Sequence, residues 1–173
     1  MVCGNWRASS ENQRAQQVSV NDLAFSPDGA TIATVSSDRG VKQWDVIDGT
    51  LVREFKGHLS SVNTVAFSDD GLLLATGSDN EIRLWNALDG SVVLVIVGHE
   101  ARINDLIFTP DSTKFIPASD DSTMGVWRVS DGSLIQILDV HTSGVKSLGI
   151  TEDGKTLITG SRDMSVSLWA FTD

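Results

Sequence analysis

The chain has 173 residues, and its 13 Lys and Arg against 23 Asp and Glu give a net charge of −10. An acidic chain without a run of Lys, Arg and aromatic residues is not expected to bind the phosphate backbone of nucleic acids. One cysteine, Cys3, allows no internal disulfide and no cysteine-based metal site. No apolar stretch approaches the ~18 residues of a membrane-spanning helix, and residues 1–16 lack the apolar centre of a signal peptide. We therefore expect a soluble, cytoplasmic protein of one domain, without membrane contact.

A polar segment, residues 1–15, precedes the patterned part of the chain. Within it Val2 and Trp6 are four residues apart, which is also the spacing of Leu51 and Phe55 in a predicted strand further on. Residues Val2 to Trp6 are therefore a candidate strand that completes a sheet formed elsewhere. A frayed polar tail is the alternative, because chain termini are often disordered.

From residue 16 onward the chain repeats itself four times, with a period of 41 or 42 residues. The repeats end at Trp44, Trp85, Trp127 and Trp169. An aspartate stands six residues before each of these tryptophans, and a histidine stands 27 or 28 residues before the last three. Such fixed spacing indicates a repeated structural unit.

Each repeat predicts four short antiparallel strands. In the first repeat, apolar residues alternate from Val18 to Phe25, as in a half-buried strand. The turn Ser26–Gly29 follows, with proline second and glycine fourth, and leads to a second strand over residues 31–36. A third strand carries the tryptophan, and a turn at Asp48-Gly49 leads to a fourth strand, Leu51 to Phe55.

Four strands in ~40–45 residues, with Gly-His before the first strand and Trp-Asp after the third, resemble a blade of a WD-repeat β-propeller. The resemblance covers residues 16 to 170, although only Trp44-Asp45 keeps the full dipeptide. It implies an all-β fold in which residues 16–173 form four blades and residues 1–15 a separate N-terminal segment. It also implies that hydrogen bonds among a His, a Ser or Thr, an Asp and a Trp hold each blade together.

The types of these side chains explain such a network, because an indole N–H donates, a carboxylate accepts, and a hydroxyl or imidazole can do both. Repeat two lacks one residue between Thr76 and Asp79, so we expect a tighter turn there. In repeat three Pro117 occupies the hydroxyl position, so that network is predicted to be broken. The predicted network residues are Gln16, Thr34, Asp38 and Trp44 in repeat one, His58, Thr76, Asp79 and Trp85 in repeat two, His99, Asp121 and Trp127 in repeat three, and His141, Thr159, Asp163 and Trp169 in repeat four.

The same residues invite a catalytic interpretation, since Thr159, His141 and Asp163 are a hydroxyl, an imidazole and a carboxylate, as in a nucleophilic triad. We interpret them as structural, because the set recurs in other repeats and ends on a tryptophan, whereas an active site is needed once. The three histidines fall in separate repeats, and adjacent carboxylates lie in turns. No catalytic residue, metal site or cofactor is therefore predicted.

The resemblance places partner contacts on the face that carries the loops between the fourth strand of one blade and the first strand of the next. The positions there are polar, and Arg102, Lys146 and Arg162 form their only basic group. An acidic or hydrogen-bonding peptide is the expected ligand, although none of the positions is a large aromatic anchor. An ordinary solvated rim is the alternative. The predicted contact residues are Asn21, Asn63, Arg102, Asn104, Asp120, Lys146 and Arg162.

The number of repeats predicts an assembly, because WD-type blades close into larger rings. The end repeats are also as apolar as the middle ones, whereas the ends of an isolated repeat array need polar outer faces. The sequence also ends four residues after Trp169, before a fourth strand of blade four. We predict a two-fold homodimer that closes as an eight-bladed ring, with Val2 to Trp6 completing the partner's last blade. A ring of four blades and a fragment of a longer propeller are the alternatives.

The predicted function is a non-catalytic protein-interaction scaffold, since the sequence offers no unrepeated cluster of catalytic residue types. The alternative is an enzyme or small-ligand-binding propeller with its site in the central channel.

Overall fold

The computed structural model describes residues 18–139 and 141–170. This part of the chain consists of fifteen β-strands in four antiparallel sheets. Within these residues there is no helix that is long and apolar enough to cross a membrane. The strands are β1 (Val20–Phe25), β2 (Thr31–Ser36), β3 (Val41–Asp45), β4 (Leu51–Phe55), β5 (Thr64–Phe67), β6 (Leu73–Gly77), β7 (Glu81–Asn86), β8 (Val92–Val97), β9 (Ile103–Phe108), β10 (Lys114–Ser119), β11 (Thr123–Arg128), β12 (Leu134–Asp139), β13 (Val145–Ile150), β14 (Thr156–Ser161) and β15 (Val166–Ala170).

Each sheet is a meander in which consecutive strands are neighbours, so each sheet is one blade. Blade 1 has the order β1-β2-β3-β4, blade 2 β5-β6-β7-β8 and blade 3 β9-β10-β11-β12, and the described part of blade 4 has the order β13-β14-β15. The predicted all-β class and the four blades are confirmed. The candidate strand Val2 to Trp6 lies outside the described residues.

Antiparallel pairing gives the molecule two different faces. We call the face with the turns between second and third strands, together with the connections between blades, the upper face. The lower face carries the turns between first and second strands and between third and fourth strands. The two kinds of turn can therefore act on different partners.

The lower turns form where the sequence places a short polar residue, Pro or Asp, and Gly. In blade 1 the Asp28 carboxylate accepts hydrogen bonds from Ser26 Oγ at 2.6 Å and from the Ala30 N–H at 3.0 Å. Gly29 has a φ of 69°, which glycine adopts without strain. In blade 3 Ser112 takes this place at a φ of 55°, so the turn tolerates a small residue there.

The four blades form an open arc. Their first strands make successive contacts, β1 with β5, β5 with β9, and β9 with β13, whereas β13 makes no comparable contact with β1. The core lies in the three spaces between neighbouring blades, each lined on both sides by apolar side chains. Each blade is therefore stabilised by its neighbours rather than by a core of its own.

Candidate functional site

Blade 4 contains a continuous hydrogen-bond chain from its tryptophan to its turn. Trp169 Nε1–H donates to Thr159 Oγ1 at 3.2 Å, and Thr159 Oγ1 lies 2.8 Å from His141 Nε2. His141 Nδ1 lies 2.9 Å from Asp163 Oδ2. With the imidazole proton on Nδ1, every donor in the chain has one acceptor. The chain therefore ties β14 and β15 to the connection that precedes β13.

The carboxylate at the end of this chain also organises the upper turn of blade 4. Asp163 accepts hydrogen bonds from Ser165 Oγ at 2.6 Å and from the N–H groups of Ser165 and Thr142 at 2.9 and 3.0 Å. These bonds, led by the one from the Ser165 hydroxyl, hold the pKa of Asp163 well below its usual value. Ser165 Oγ also lies 3.0 Å from His141 Nδ1, so it belongs to the network, although the sequence prediction left it out.

Blade 2 keeps the first half of the chain but uses a different acid. Trp85 Nε1–H donates to Thr76 Oγ1 at 2.8 Å, and Thr76 Oγ1 lies 2.7 Å from His58 Nε2. Asp79, predicted as the network carboxylate, is exposed instead. Its part is taken by Glu81, whose Oε1 lies 3.3 Å from His58 Nδ1 but outside hydrogen-bond geometry. The missing residue between Thr76 and Asp79 shortens the turn, so Asp79 does not reach the imidazole.

Glu81 occupies the position four residues before the tryptophan, where blades 3 and 4 have Thr123 and Ser165. Its carboxylate is held by Arg83, whose Nε donates at 2.6 Å. The Arg83 guanidinium also lies 5.8 Å from the centre of the Trp85 ring, a cation–π distance. A comparison of the residues four positions before each tryptophan would have identified Glu81, Thr123 and Ser165.

His58 is buried, and burial, with the nearby Arg83 charge, lowers its pKa from 6.5 to about 4, although Glu81 opposes the change. The imidazole of His58 is therefore neutral at physiological pH. Burial also lowers the pKa of His99, against the opposing effect of Asp121.

In blade 3 the network is interrupted where Pro117 supplies no hydroxyl. His99 Nδ1 still lies 2.8 Å from Asp121 Oδ2, but among the described residues His99 Nε2 has no hydrogen-bond partner although it is buried. The Trp127 ring lies over Gly125, where a Cβ would be 1.7 Å from its Cζ3 atom. Trp127 stacks on Phe115, its neighbour on the adjacent strand, with ring centres 6.0 Å apart.

Blade 1 has the tryptophan and aspartate ends of a network. Trp44 Nε1–H donates to Thr34 Oγ1 at 2.9 Å. Asp38 accepts hydrogen bonds from the Gly40 N–H at 2.8 Å and from the Ser36 hydroxyl. Gln16, predicted to join the two ends, lies outside the described residues.

The predicted contact residues divide into two groups, and the asparagines mostly serve contacts between blades. Asn21 Nδ2 donates to the Val62 carbonyl at 2.7 Å, and Asn104 Nδ2 donates to the Val145 carbonyl at 2.7 Å. Asn63 is buried, and its Nδ2 has no hydrogen-bond partner among the described residues. These side chains bridge or fill the interfaces between blades. Their hydrogen-bonding groups are therefore less available to a binding partner.

The aspartate that follows two of these asparagines makes a second bridge between blades. Asp22 accepts from the Val65 N–H at 3.0 Å, and Asp105 accepts from the Leu148 N–H at 2.7 Å. Burial raises the pKa of Asp105, against the lowering effect of its two backbone hydrogen bonds. The Asn-Asp pair in repeats one and three was the sequence signal for this role.

The remaining contact residues meet at the upper junction of blades 3 and 4, and we call this group the rim cluster: Arg102, Asn104, Asp120, Lys146 and Arg162. Lys146 Nζ donates to Asn104 Oδ1 at 2.9 Å and is paired with Asp120. Asn104 Nδ2 donates to Asp120 Oδ1 at 2.8 Å, and an Arg162 nitrogen lies 3.6 Å from the same oxygen. Arg102 is exposed, and its carbonyl accepts from the Asp120 N–H at 2.9 Å.

Comparison with known proteins gives the repeats a family. The family model for the WD domain, G-beta repeat, matches residues 8–45, 49–86, 90–128 and 132–170. The chain belongs to the WD-repeat family. The resemblance inferred from the sequence is therefore confirmed.

Other WD-repeat proteins match parts of the chain. The Intraflagellar transport protein 122 homolog of Xenopus tropicalis is 34% identical over 76 residues, which are 44% of this chain and 6% of that protein. The Pre-mRNA-processing factor 19 homolog 2 of Arabidopsis thaliana is 39% identical over 62 residues, which are 36% of this chain and 12% of that protein. The chain thus spans a small part of these relatives.

A crystal structure of RRP9 WD40 repeats superposes on the four blades with a TM-score of 0.84 and 26% identity. The match covers 90% of this chain and 49% of the RRP9 chain. The curvature of the four-bladed arc is therefore that of about half of a larger WD-repeat structure.

The gap in the blade 3 network yields a stability prediction. Replacing Pro117 with Thr places a hydroxyl where Thr76 and Thr159 meet the histidines of blades 2 and 4. We expect Pro117→Thr to unfold with a free energy about 1–3 kcal/mol higher than Pro117→Val, because a buried imidazole nitrogen without a partner costs that much. Urea denaturation of both variants measures the difference. Equal stabilities would contradict the assigned role of the hydroxyl.

The neutral imidazole of His58 yields a pH prediction. Its pKa falls from 6.5 to about 4 on folding, so between these values the unfolded chain binds more protons and the free energy of unfolding falls as the pH is lowered. We expect His58 to cause roughly 1–2 kcal/mol of the loss between pH 7 and pH 5. Urea denaturation at both pH values should give a smaller loss for His58→Gln than for the unmodified protein. The same loss in both proteins would exclude His58 as the cause.

Proposed function

We propose that this WD-repeat protein is a non-catalytic interaction scaffold that binds an acidic polypeptide at the rim cluster. One observation carries the proposal: Arg102 and Arg162 are exposed beside the ion pair of Lys146 and Asp120. The opposite charges of that pair largely cancel each other. The two guanidinium groups give this part of an acidic protein a local positive charge. Guanidinium groups bind carboxylates in a planar, two-point geometry.

The rim cluster is also pre-organised, which lowers the entropic cost of binding. Asp120, Asn104 and Lys146 hold one another across two blades, and a Cβ on Gly144 would lie 2.5 Å from Asp120 Oδ1, so the backbone approaches closely there. The imidazoles of His99 and His141, with Asp121 and Asp163, belong to the repeated blade networks, which supports a structural role for them. The matched relatives are named for transport and for pre-mRNA processing, as expected of a module that supplies contacts rather than one reaction.

The peptide proposal is tested with fluorescein-labelled hexaglutamate, with hexaglutamine as the neutral control. Fluorescence anisotropy should detect binding of the acidic peptide only. We expect the double variant Arg102→Gln/Arg162→Gln to weaken it about five- to tenfold, since each exposed ion pair contributes roughly 0.2–1 kcal/mol. Arg128→Gln, on the lower face, is the matched control and should leave binding unchanged. Unaltered affinity in the double variant would refute the assignment of this site.

We further propose that two copies of the chain close an eight-bladed ring. The first-strand phenylalanine that faces the preceding blade is 9% exposed in blade 2 (Phe67) but 58% exposed in blade 1 (Phe25). Towards the following blade, Leu84 of blade 2 is 0% exposed, whereas its equivalent in blade 4, Leu168, is 71% exposed. The outer face of blade 1 therefore resembles one side of an interface between neighbouring blades, and the outer face of blade 4 resembles the other side. A second copy is the occupant that fits both at once.

Light scattering at low micromolar concentration tests this assembly. We expect a mass near twice 18.6 kDa for the intact chain and near 18.6 kDa for Phe25→Glu and Leu168→Glu, which place a charge in the interface. Leu88→Glu, in an exposed turn, is the control and should remain dimeric. A mass near 18.6 kDa for the unmodified chain refutes the dimer, leaves the peptide site intact, and favours further blades of a longer chain as the occupant.

A further inference from the structure

The interface between blades 3 and 4 differs from the other two because its tryptophan has no aromatic partner. Trp85 meets Phe55 edge-on, with ring centres 5.7 Å apart, and Trp127 stacks on Phe115 at 6.0 Å. At the interface between blades 3 and 4 neither position is aromatic: the equivalent of Phe115 is Leu157 of blade 4, and the equivalent of Phe55 is Leu138 of blade 3. Trp169 makes no ring contact with any other described residue, and it is only partly buried.

The smaller side chains leave a cavity of about 300 Å³ between these blades. Its walls are mostly apolar and include Ile116, Met124, Leu138, Leu157 and Trp169, while Lys114 and Gln136 contribute polar groups to the lining. Thr109 and Gly154 also line it, and both belong to lower turns, so it is reached from the lower face. Apolar cavities of ~150 Å³ already hold benzene in other proteins.

The corresponding cleft between blades 1 and 2 differs in two of its lining residues. It is lined by Gln43 and Arg53, and Arg53 donates to the Ala87 carbonyl at 2.6 Å and to Gln43 at 3.2 Å. In blade 3 the equivalents of these residues are Val126, which is apolar, and Gln136, which is uncharged. Among the described residues, the cleft beside Trp169 therefore has no hydrogen-bonded Gln and Arg pair across it, and Lys114 is its charged lining residue.

We propose that the cavity between blades 3 and 4 is a binding site for an aromatic ring, which completes the packing of Trp169. The occupant is the size of a phenyl or indole group, because this group is present in the other two interfaces and absent here. The ring belongs to a small molecule that enters from the lower face. This site is separate from the rim cluster, which lies on the upper face.

Free indole is the probe, titrated into the full-length protein and followed by the NMR chemical shift of the Trp169 indole N–H. We expect saturable binding, and Leu157→Phe, which restores the aromatic residue of blade 3, should weaken it at least about tenfold, a change of ~1.4 kcal/mol. Leu138→Phe, which restores the residue of blade 1, is the second variant in case the first does not fold. Leu59→Phe, at an exposed position, is the matched control and should bind indole like the unmodified chain.

Three outcomes would overturn the proposal. The first is the absence of saturable binding to the unmodified chain. The second is equal binding to the unmodified chain and to both cavity-filling variants. The third is binding only after Phe171→Ala, since the chain's own Phe171, which directly follows the cavity residue Ala170, would then be the occupant.

Discussion

The structure depends on the burial of apolar side chains between neighbouring blades. A four-stranded antiparallel sheet has two faces, and in blades 2 and 3 both faces pack against a neighbouring blade through apolar side chains. At roughly 25 cal/mol per Å² of apolar surface, this burial is the dominant favourable term for such a fold. A blade cannot bury its own faces, so four blades in an arc leave two faces without a neighbour. The exposure of these two outer faces therefore follows from the same arrangement that buries the faces between blades.

The hydrogen-bond networks give this packing a definite geometry. Packing between flat apolar faces does not by itself fix the position of one blade along another. A buried hydroxyl that accepts a hydrogen bond from the indole N–H and contacts an imidazole fixes the orientation of the tryptophan ring. Because this ring packs at the interface between blades, its orientation also sets the packing there. Blade 3 lacks this hydroxyl, and there Trp127 lies over Gly125 and stacks on Phe115.

The fold could be predicted from the sequence because its main signals are local and repeated four times. The tryptophan period, the alternation within strands and the turn residues are all short-range features. The networks were only partly predictable. Asp79 was selected by its distance from Trp85, but whether a carboxylate reaches an imidazole depends on the length of the turn. The asparagines of the upper face were assigned to a partner for a similar reason, since sequence spacing locates a side chain on a face without showing whether the next blade already uses it.

The blade interfaces combine apolar packing and polar bridging in different proportions. Between blades 2 and 3, Phe108, Phe115 and Trp127 form an aromatic core, and Asn63 makes no side-chain bridge through its Nδ2. Between blades 3 and 4 the core is poorer in aromatic residues, yet Asn104 and Asp105 both bridge to the next blade. Polar bridges at the upper face can hold two blades in register even where the space below them is incompletely filled. An interface built in this way can keep an apolar cavity open without losing its geometry, because hydrogen bonds rather than close packing set the spacing of the blades.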